Sequence, residues 1–144
     1  MRNRTLLPLL AALAAVPAAA SGATLATTDE TNAICEAAAA KLAAGDSDQA
    51  FKLLEPYWPL PKEELKNLAY QTTSQLAMVA GRFGAPIGSE HVSTKQAGSS
   101  FVQHVYIVKY DRHALRFTCR FYRPAKDWIV NSVTWDDQTG SLFE

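Results

Sequence analysis

The sequence predicts an α+β fold in which N-terminal helices pack on one face of a curved antiparallel sheet of about four strands, a cone-shaped α+β roll. Three observations support this prediction. Apolar residues recur at spacings of three and four over residues 31–83, as in helices that face a core. After the stretch "GAPIG" the apolar period changes to two, as in strands. The helical segments all precede the strand segments, and short turns join the strands, which favours a meander over alternating helices and strands.

The chain opens with a stretch typical of a secretory signal peptide. "MRNRTLLPLLAALAAVPAAASGA" places Arg2 and Arg4 before an apolar run that ends in small residues. The apolar run is shorter than the ~20 residues that a permanent transmembrane helix needs. We therefore expect residues 1–23 to be a leader that is cleaved after Ala20 or Ala23, and the mature protein to be periplasmic or secreted.

An ordinary N-terminal core helix is the alternative interpretation, but Pro8 and Pro17 interrupt this stretch and it has no polar face. Residues 24–144, about 120 in all, are enough for a single domain with one core. Of the 14 basic residues, Arg2 and Arg4 leave with the leader, so that 12 remain against 14 acidic ones. This slightly acidic balance predicts no nucleic-acid binding, which requires a strongly basic face. We also expect no membrane span in the mature protein.

Two cysteines, Cys35 and Cys119, occur in a chain that we expect to be exported. An even number of cysteines in an oxidising compartment favours a disulfide. Closing so long a loop would stabilise the fold by roughly 4 kcal/mol in the chain-entropy model. The alternative is two separate buried thiols. Two cysteines this far apart form neither a CxxC redox pair nor a zinc-ligand cluster, and we expect no metal and no cofactor.

Capping and breaking residues divide the N-terminal half into three helices. The predicted bounds are residues 31–44, residues 47–55, and Pro61 to either Gly81 or Gly84. Asp29 or Thr31 can cap the first helix, Gly45 ends it, and Pro61 suits the first position of the third. The third helix carries an apolar stripe that we expect to face the core: Leu65, Leu68, Ala69, Thr72, Leu76, Val79 and Phe83.

The C-terminal half predicts four strands, at residues 91–96, 100–110, 114–123 and 128–135. A two-residue turn at Asp111 and Arg112 sets the register of the middle pair, because the side-chain period of a strand is two. One face then collects Val102, His104, Tyr106, Val108, Leu115, Phe117, Cys119 and Phe121. We assign this largely apolar face to the helices.

The opposite face of the sheet combines basic and apolar side chains. Its expected members include Lys109, Arg116, Arg120, Tyr122, Val133 and Trp135. With a four-residue loop at "PAKD", Arg116 opposes Trp135 in a cation–π contact and Arg120 opposes Asn131, whereas a three-residue loop would give another register. This face is too apolar to be fully solvated, so we expect it to form a homodimer interface with the charges at its rim. The alternative is a monomer whose aromatic rings lie under its own arginine stems.

The element order resembles that of a known superfamily. Helices precede "GRFGAPIGS", and the final strands contain "FYRPAKDWIVNSVTWDD". Over about residues 30–137 the chain resembles the nuclear transport factor two-like (cystatin-like, SnoaL-like) superfamily, and within it small exported bacterial domains of unknown function. The resemblance implies a long helix and shorter ones cupped by a bent sheet, often paired sheet to sheet, around a cone-shaped pocket. Members range from isomerases and dehydratases to binding and inert modules, so this fold does not define a function.

The sequence contains few candidate catalytic residues. It has no HExxH, GxSxG or P-loop motif. Catalytic members of the superfamily that it resembles place an acid or base, often Asp or His, inside the cone, and here the aspartates fall in turns or at a strand end. His104 and Tyr106 are the one ionisable pair expected on the inner face, where they could act as general base and oxyanion donor. The alternative is a hydrogen-bonded core histidine beside a core tyrosine.

Three functions are consistent with these features. The favoured one is an exported non-catalytic binding or interaction module that forms a homodimer and can take a small apolar or anionic ligand. The second is a lyase or isomerase that uses the cone with His104 and Tyr106. The third is a structural envelope protein. Neither the ligand nor the pathway follows from the sequence.

Overall fold

The computed structural model describes residues 22–144 and has the predicted α+β fold. The helices are α1 (Thr28–Ala43), α2 (Ser47–Leu54) and α3 (Lys62–Phe83), and the strands are β1 (Pro86–Ala97), β2 (Phe101–Tyr110), β3 (Ala114–Tyr122) and β4 (Ile129–Asp136). Short 3-10 helices span Glu55–Tyr57 and Thr139–Phe143. Residues 1–21 of the predicted leader, with the possible cleavage site after Ala20, lie outside the described residues. Within residues 22–144, no helix is long and apolar enough to cross a bilayer.

The four strands form one open antiparallel sheet in the order β1-β2-β3-β4. The helices pack on one face of this sheet, here called the inner face, and α1 contacts β1, β2 and β3 directly. The opposite face is called the outer face. Because each strand follows its neighbour in sequence, the fold needs only short turns between strands.

Helix α1 begins three residues before its expected start because Thr27 forms a capping box with Glu30. The Thr27 hydroxyl accepts a hydrogen bond from the Glu30 amide at 3.1 Å, and the Glu30 carboxylate accepts one from the Thr27 amide at 3.2 Å. Helix α2 starts after Asp46, whose carboxylate accepts from the Gln49 amide at 3.1 Å. The sequence therefore predicted both helices: α2 begins at Ser47 as expected, and the capping box extends α1 at its start.

Helix α3 ends at Gly84, one of the two predicted stops, where φ is +88°. Its first residue is Lys62, so Pro61 precedes the helix rather than opening it. The predicted apolar stripe is confirmed. Leu65, Ala69, Thr72 and Phe83 are buried, and Leu68, Leu76 and Val79 are half-buried against the same core.

Strand β1 is twice as long as predicted. It begins at Pro86, which pairs with Tyr110. Proline lacks a backbone N–H and is tolerated at the first position of an edge strand. Irregularities between Pro86 and Gly88, and between His91 and Ser93, interrupt the pairing with β2. These irregularities break the period of two, and for that reason the sequence pattern shows only the second half of the strand.

The predicted register of β2 and β3 is confirmed. His104 pairs with Cys119 and Tyr106 pairs with Phe117, while the Tyr110 amide donates to the His113 carbonyl at the turn. All eight predicted inner-face side chains of these two strands are buried. This face and the helices enclose the core of the domain.

The predicted register of β3 and β4 is confirmed next to the turn, where Tyr122 pairs with Ile129, and was wrong beyond Phe121. Asn131 is an extra residue in β4, so that Arg120 pairs with Ser132 and Arg116 pairs with Asp136. A one-residue bulge reverses which side chains face inward. Val133 and Trp135, expected on the outer face, therefore lie on the inner face opposite Cys119 and Phe117. The expected cation–π contact of Arg116 with Trp135 does not form, because Arg116 is paired with Asp136 instead.

The predicted disulfide between Cys35 and Cys119 is confirmed. It joins α1 to β3 with a Cα–Cα distance of 6.0 Å and closes a sequence separation of 84 residues. Both cysteines are fully buried. The alternative of two separate thiols is therefore wrong.

Candidate functional site

His104 lies on the inner face of β2 and is only 1 % exposed. Its Nε2 is 2.8 Å from the Thr31 hydroxyl of α1, and its Nδ1 is 2.8 Å from the Thr94 hydroxyl of β1. The Thr94 hydroxyl in turn lies 2.9 Å from Nε2 of the exposed His91. One imidazole ring thus connects three elements of secondary structure.

The direction of these hydrogen bonds follows from the number of available protons. The Thr31 hydroxyl donates to the Thr28 carbonyl at 2.6 Å, so its oxygen accepts from His104 Nε2–H. His104 Nδ1 is then an acceptor and receives the proton of the Thr94 hydroxyl. The Thr94 oxygen remains able to accept from His91 Nε2–H. His104 is therefore held as the neutral Nε2–H tautomer.

Burial also keeps His104 neutral. Loss of solvation, with a smaller effect of neighbouring His91, lowers the pKa of His104 to about 4. Both ring nitrogens are engaged within the protein. A general base needs a free lone pair within reach of substrate, and His104 offers none in this arrangement.

Tyr106 is also buried on the inner face. Its hydroxyl donates to Oδ1 of Asn32 at 2.8 Å, and its ring meets the His91 ring edge-on with 5.1 Å between centroids. Burial raises the pKa of Tyr106, the Glu36 carboxylate adds to this, and the Asn32 hydrogen bond opposes it. The phenol is therefore a satisfied neutral donor that ties β2 to α1.

Side chains fill the space between the helices and the sheet. Leu65, Phe117 and Phe121 are at most 1 % exposed there. Among the cavities on the surface of residues 22–144, five are lined by neither His104 nor Tyr106. One of these, of about 430 Å³, lies between α2 and α3 with an apolar floor and a charged rim. Among residues 22–144, no group of three or more His, Cys, Asp or Glu side chains is placed to hold a metal ion.

Four of the six predicted interface residues lie on the outer face: Lys109, Arg116, Arg120 and Tyr122. The other two do not, because of the bulge in β4. Val133 is buried in the core, and Trp135 Nε1 donates to the Thr72 hydroxyl of α3 at 2.9 Å. Trp135 thus anchors β4 to α3.

Charged side chains of the outer face have partners within the same face. Arg116 donates two hydrogen bonds to Asp136, at 3.2 and 2.7 Å, and Arg120 Nε donates to Oε1 of Gln103 at 2.6 Å. Lys109 and Glu90 lie 3.8 Å apart. The hydrogen bond from Arg116 lowers the pKa of Asp136, and the same bond is the main reason that the pKa of Arg116 is raised.

Aromatic rings occupy one end of the outer face. Phe101 of β2 stacks on Tyr122 of β3 with 5.0 Å between ring centroids. Phe101 is 38 % exposed, and Ile107 and Ile129 are half-buried on the same face. The outer face therefore keeps part of the apolar surface that the sequence predicted for it.

The sequence prediction missed a C-terminal segment, residues 139–144, that lies across the outer face. Its 3-10 helix contacts β3, and Lys95 Nζ donates a hydrogen bond to the Glu144 carbonyl. Val105 and Thr118 of the outer face are buried although no α-helix covers them. The apolar pair in "SLF" could have indicated that this segment packs on the domain, but it does not indicate on which face.

Comparisons with protein-family models, with curated proteins and with solved structures find no match for this chain.

Proposed function

We propose that this protein is an exported, non-catalytic interaction module that self-associates through the outer face of its sheet. The observation that carries the proposal is the composition of that face, where the exposed Phe101 stacks on the half-buried Tyr122 among polar side chains that are already hydrogen-bonded to one another. Buried apolar area drives association. Charges that keep their partners when buried oppose it less than unpaired charges do.

A second copy is the natural partner for such a face. Most homo-oligomers have two-fold symmetry, in which the same surface patch is used by both subunits. Sheets pack face to face at a spacing of about 10 Å with their side chains interdigitating. The α-helices of this protein lie on the inner face of the open sheet. The segment 139–144 covers the outer face only in part, and Phe101 of that face is still 38 % exposed and can pack against a second copy.

The disulfide supports export. Bonds such as Cys35–Cys119 form and persist in oxidising compartments and are rare in reducing ones. The leader pattern in residues 1–23 points to the same compartment. We also propose membership of the nuclear transport factor two-like superfamily, which the order of three helices followed by a four-stranded meander supports.

The hydrogen bonding of His104 and Tyr106 supports the non-catalytic part of the proposal. Each side chain is buried, and each polar atom that could act in proton transfer is bonded to a residue of α1 or β1. A lyase or isomerase mechanism would require these bonds to be exchanged for bonds to substrate. Their role is to join the first helix to the sheet.

The test is the mass of the mature protein in solution, measured by light scattering after size exclusion. We expect the wild type to have twice the mass of one chain. Phe101→Glu should shift it to a monomer, because the substitution places an unpaired carboxylate in the interface. Tyr70→Glu is the matched control, since Tyr70 is an aromatic residue of α3 that is 76 % exposed and lies away from the outer face.

A wild type that is monomeric at its highest soluble concentration would overturn the proposal. A Phe101→Glu variant that dimerises as tightly as Tyr70→Glu would overturn the choice of the outer face. Trp135 is unsuitable for this test, because its hydrogen bond to Thr72 makes it part of the inner packing.

A further inference from the structure

We propose that Phe143 of each chain inserts into a cavity on the outer face of a second copy, so that two reciprocal contacts hold the dimer together. This inference rests on the proposed self-association and identifies the residues that make it specific. It is carried by three features of the outer face: an exposed ring, a cavity beside it, and charges that complement each other between copies.

The exposed ring is that of Phe143. It is 90 % exposed, the highest value for any large apolar side chain from Gly22 onward. The backbone around it is held on both sides, by the 3-10 helix Thr139–Phe143 and by the hydrogen bond from Lys95 to the Glu144 carbonyl. The ring is therefore presented to solvent from an ordered backbone. Removing such a ring from water favours association.

The cavity lies at the end of the β1–β2 hairpin and has a volume of about 310 Å³. Ala97, Phe101 and Val102 supply its apolar lining, and Lys95, Gln103 and Arg120 supply its polar lining. A cavity of roughly 150 Å³ is enough to hold benzene. The cavity on this protein therefore has room for a phenyl ring.

The ring and the cavity are neighbours on one face. Lys95 lines the cavity and also holds Glu144, the residue after Phe143. Phe143 does not fill the cavity of its own chain, since its ring is almost fully exposed. When two such faces meet about a two-fold axis, the ring of each copy can face the cavity of the other.

Charge supports the same arrangement. Arg120, at the cavity, is hydrogen-bonded to the neutral Gln103, so its positive charge is not neutralised within its own chain. The side chain of Glu144 is within ion-pair distance of no residue in the range 22–144, although its charge helps to raise the pKa of Arg116. Insertion of Phe143 would carry the adjacent Glu144 carboxylate of one copy towards Arg120 of the other, pairing two charges that are separate in the monomer.

The test compares dissociation constants of the dimer, measured by analytical ultracentrifugation. Two reciprocal contacts are lost in Phe143→Ala, so we expect its dissociation constant to rise by roughly 100-fold or more. Because Phe143 is exposed in one chain, the variant should keep the melting temperature and circular dichroism of the folded monomer. Tyr70→Ala, which removes an exposed ring from α3, should dimerise like the wild type.

A mixing experiment tests the reciprocal geometry. Ala97→Trp places an indole in the cavity, and we expect this variant to be as weakly associated as Phe143→Ala. In a mixture of the two, the intact Phe143 of one variant can enter the open cavity of the other, so heterodimers should form more tightly than either homodimer. Failure of the mixture to associate more tightly would overturn the inference.

The two proposals fail in different ways. If the wild type is a dimer and Phe143→Ala dimerises equally tightly, the insertion of Phe143 is wrong while self-association through the outer face stands. If the wild type is a monomer, both proposals are wrong.

Discussion

His104 joins three elements of the fold through one side chain. Its two ring nitrogens bond Thr31 of α1 and Thr94 of β1, while its own backbone belongs to β2. In the neutral ring Nε2–H donates to Thr31 and Nδ1 accepts from the Thr94 hydroxyl, whereas a protonated ring would donate from both nitrogens and the Thr94 hydroxyl would have to turn round to accept. The protonation state of this one residue is therefore coupled to the packing of the first helix on the sheet.

This coupling predicts a specific loss of stability in acid. The pKa of His104 is about 4 in the folded protein and about 6.5 when unfolded, so its stabilising contribution is complete above pH 6.5 and is lost as the pH falls from 6.5 to about 4. The loss amounts to about 3 kcal/mol over that range. Urea unfolding at pH 7.5 and pH 4.5 should show it in the wild type and not in His104→Gln.

His91→Gln is the control, because His91 is exposed at the outer end of the hydrogen-bonded chain. It should keep most of the pH dependence of the wild type. If His104→Gln and the wild type lose equal stability between the two pH values, the protonation of His104 does not limit folding.

At the scale of single elements, irregularities in the strands decide what each face presents. The extra residue Asn131 moves Val133 and Trp135 into the core and brings Asp136 opposite Arg116. The resulting pair replaces a predicted cation–π contact by a two-point ion pair. A single bulge thus changes both the inner packing of β4 and the charge of the outer face.

The end of α3 offers a second test at this scale, since Gly84 must adopt φ of +88° beside Asp111. A Cβ on Gly84 would lie 2.8 Å from the Asp111 side chain, whereas a Cβ on Gly98, at φ of +58°, would meet nothing within 4 Å. We expect Gly98→Ala to cost about 1 kcal/mol of unfolding free energy and Gly84→Ala about 2 kcal/mol or more. Gly84, with ψ of −162°, occupies a region that is essentially restricted to glycine, and a Cβ there also clashes with Asp111.

Urea unfolding of the two variants at one pH measures this difference. Gly98→Ala serves as the control for positive φ alone. Equal losses for the two variants would show that Asp111 moves aside without cost.

For the whole molecule, the disulfide supplies the covalent link between its two layers. Cys35 lies one helical turn after Thr31, so α1 is bound to the sheet both by the His104 hydrogen bond and by the bond to Cys119. The 84-residue separation spans α2, α3, β1 and β2. The bridge therefore restricts most of the unfolded chain.

Replacing both cysteines, as Cys35→Ala with Cys119→Ala, should lower the unfolding free energy by about 2–4 kcal/mol. Wild type reduced under denaturing conditions and then refolded is the matched control and should show a similar loss. Thiol titration of the untreated protein should detect no free thiol even in urea. A loss of less than about 1 kcal/mol in the double variant would contradict the role assigned to the bridge.

The sequence predicted the elements more accurately than it predicted the site. The helical stripe of α3 and the register of β2 with β3 followed from periodicity, since each rests on a regular pattern and a short turn. The register of β4 did not follow from periodicity, because a bulge can be recognised only when the pairing with the partner strand is known. Two predicted interface residues were misplaced for this reason alone.

The sequence by itself determined the fold class and the inward position of His104, because these depend on residue type and on periods within continuous segments. It favoured a disulfide between Cys35 and Cys119, which the structure confirmed. Only the tertiary structure decided that His104 is bonded on both nitrogens, that Trp135 is bound to Thr72, and that the C-terminal segment crosses the outer face. Each of these depends on residues far apart in the chain. Their contacts arise from three-dimensional packing, which local pattern does not encode.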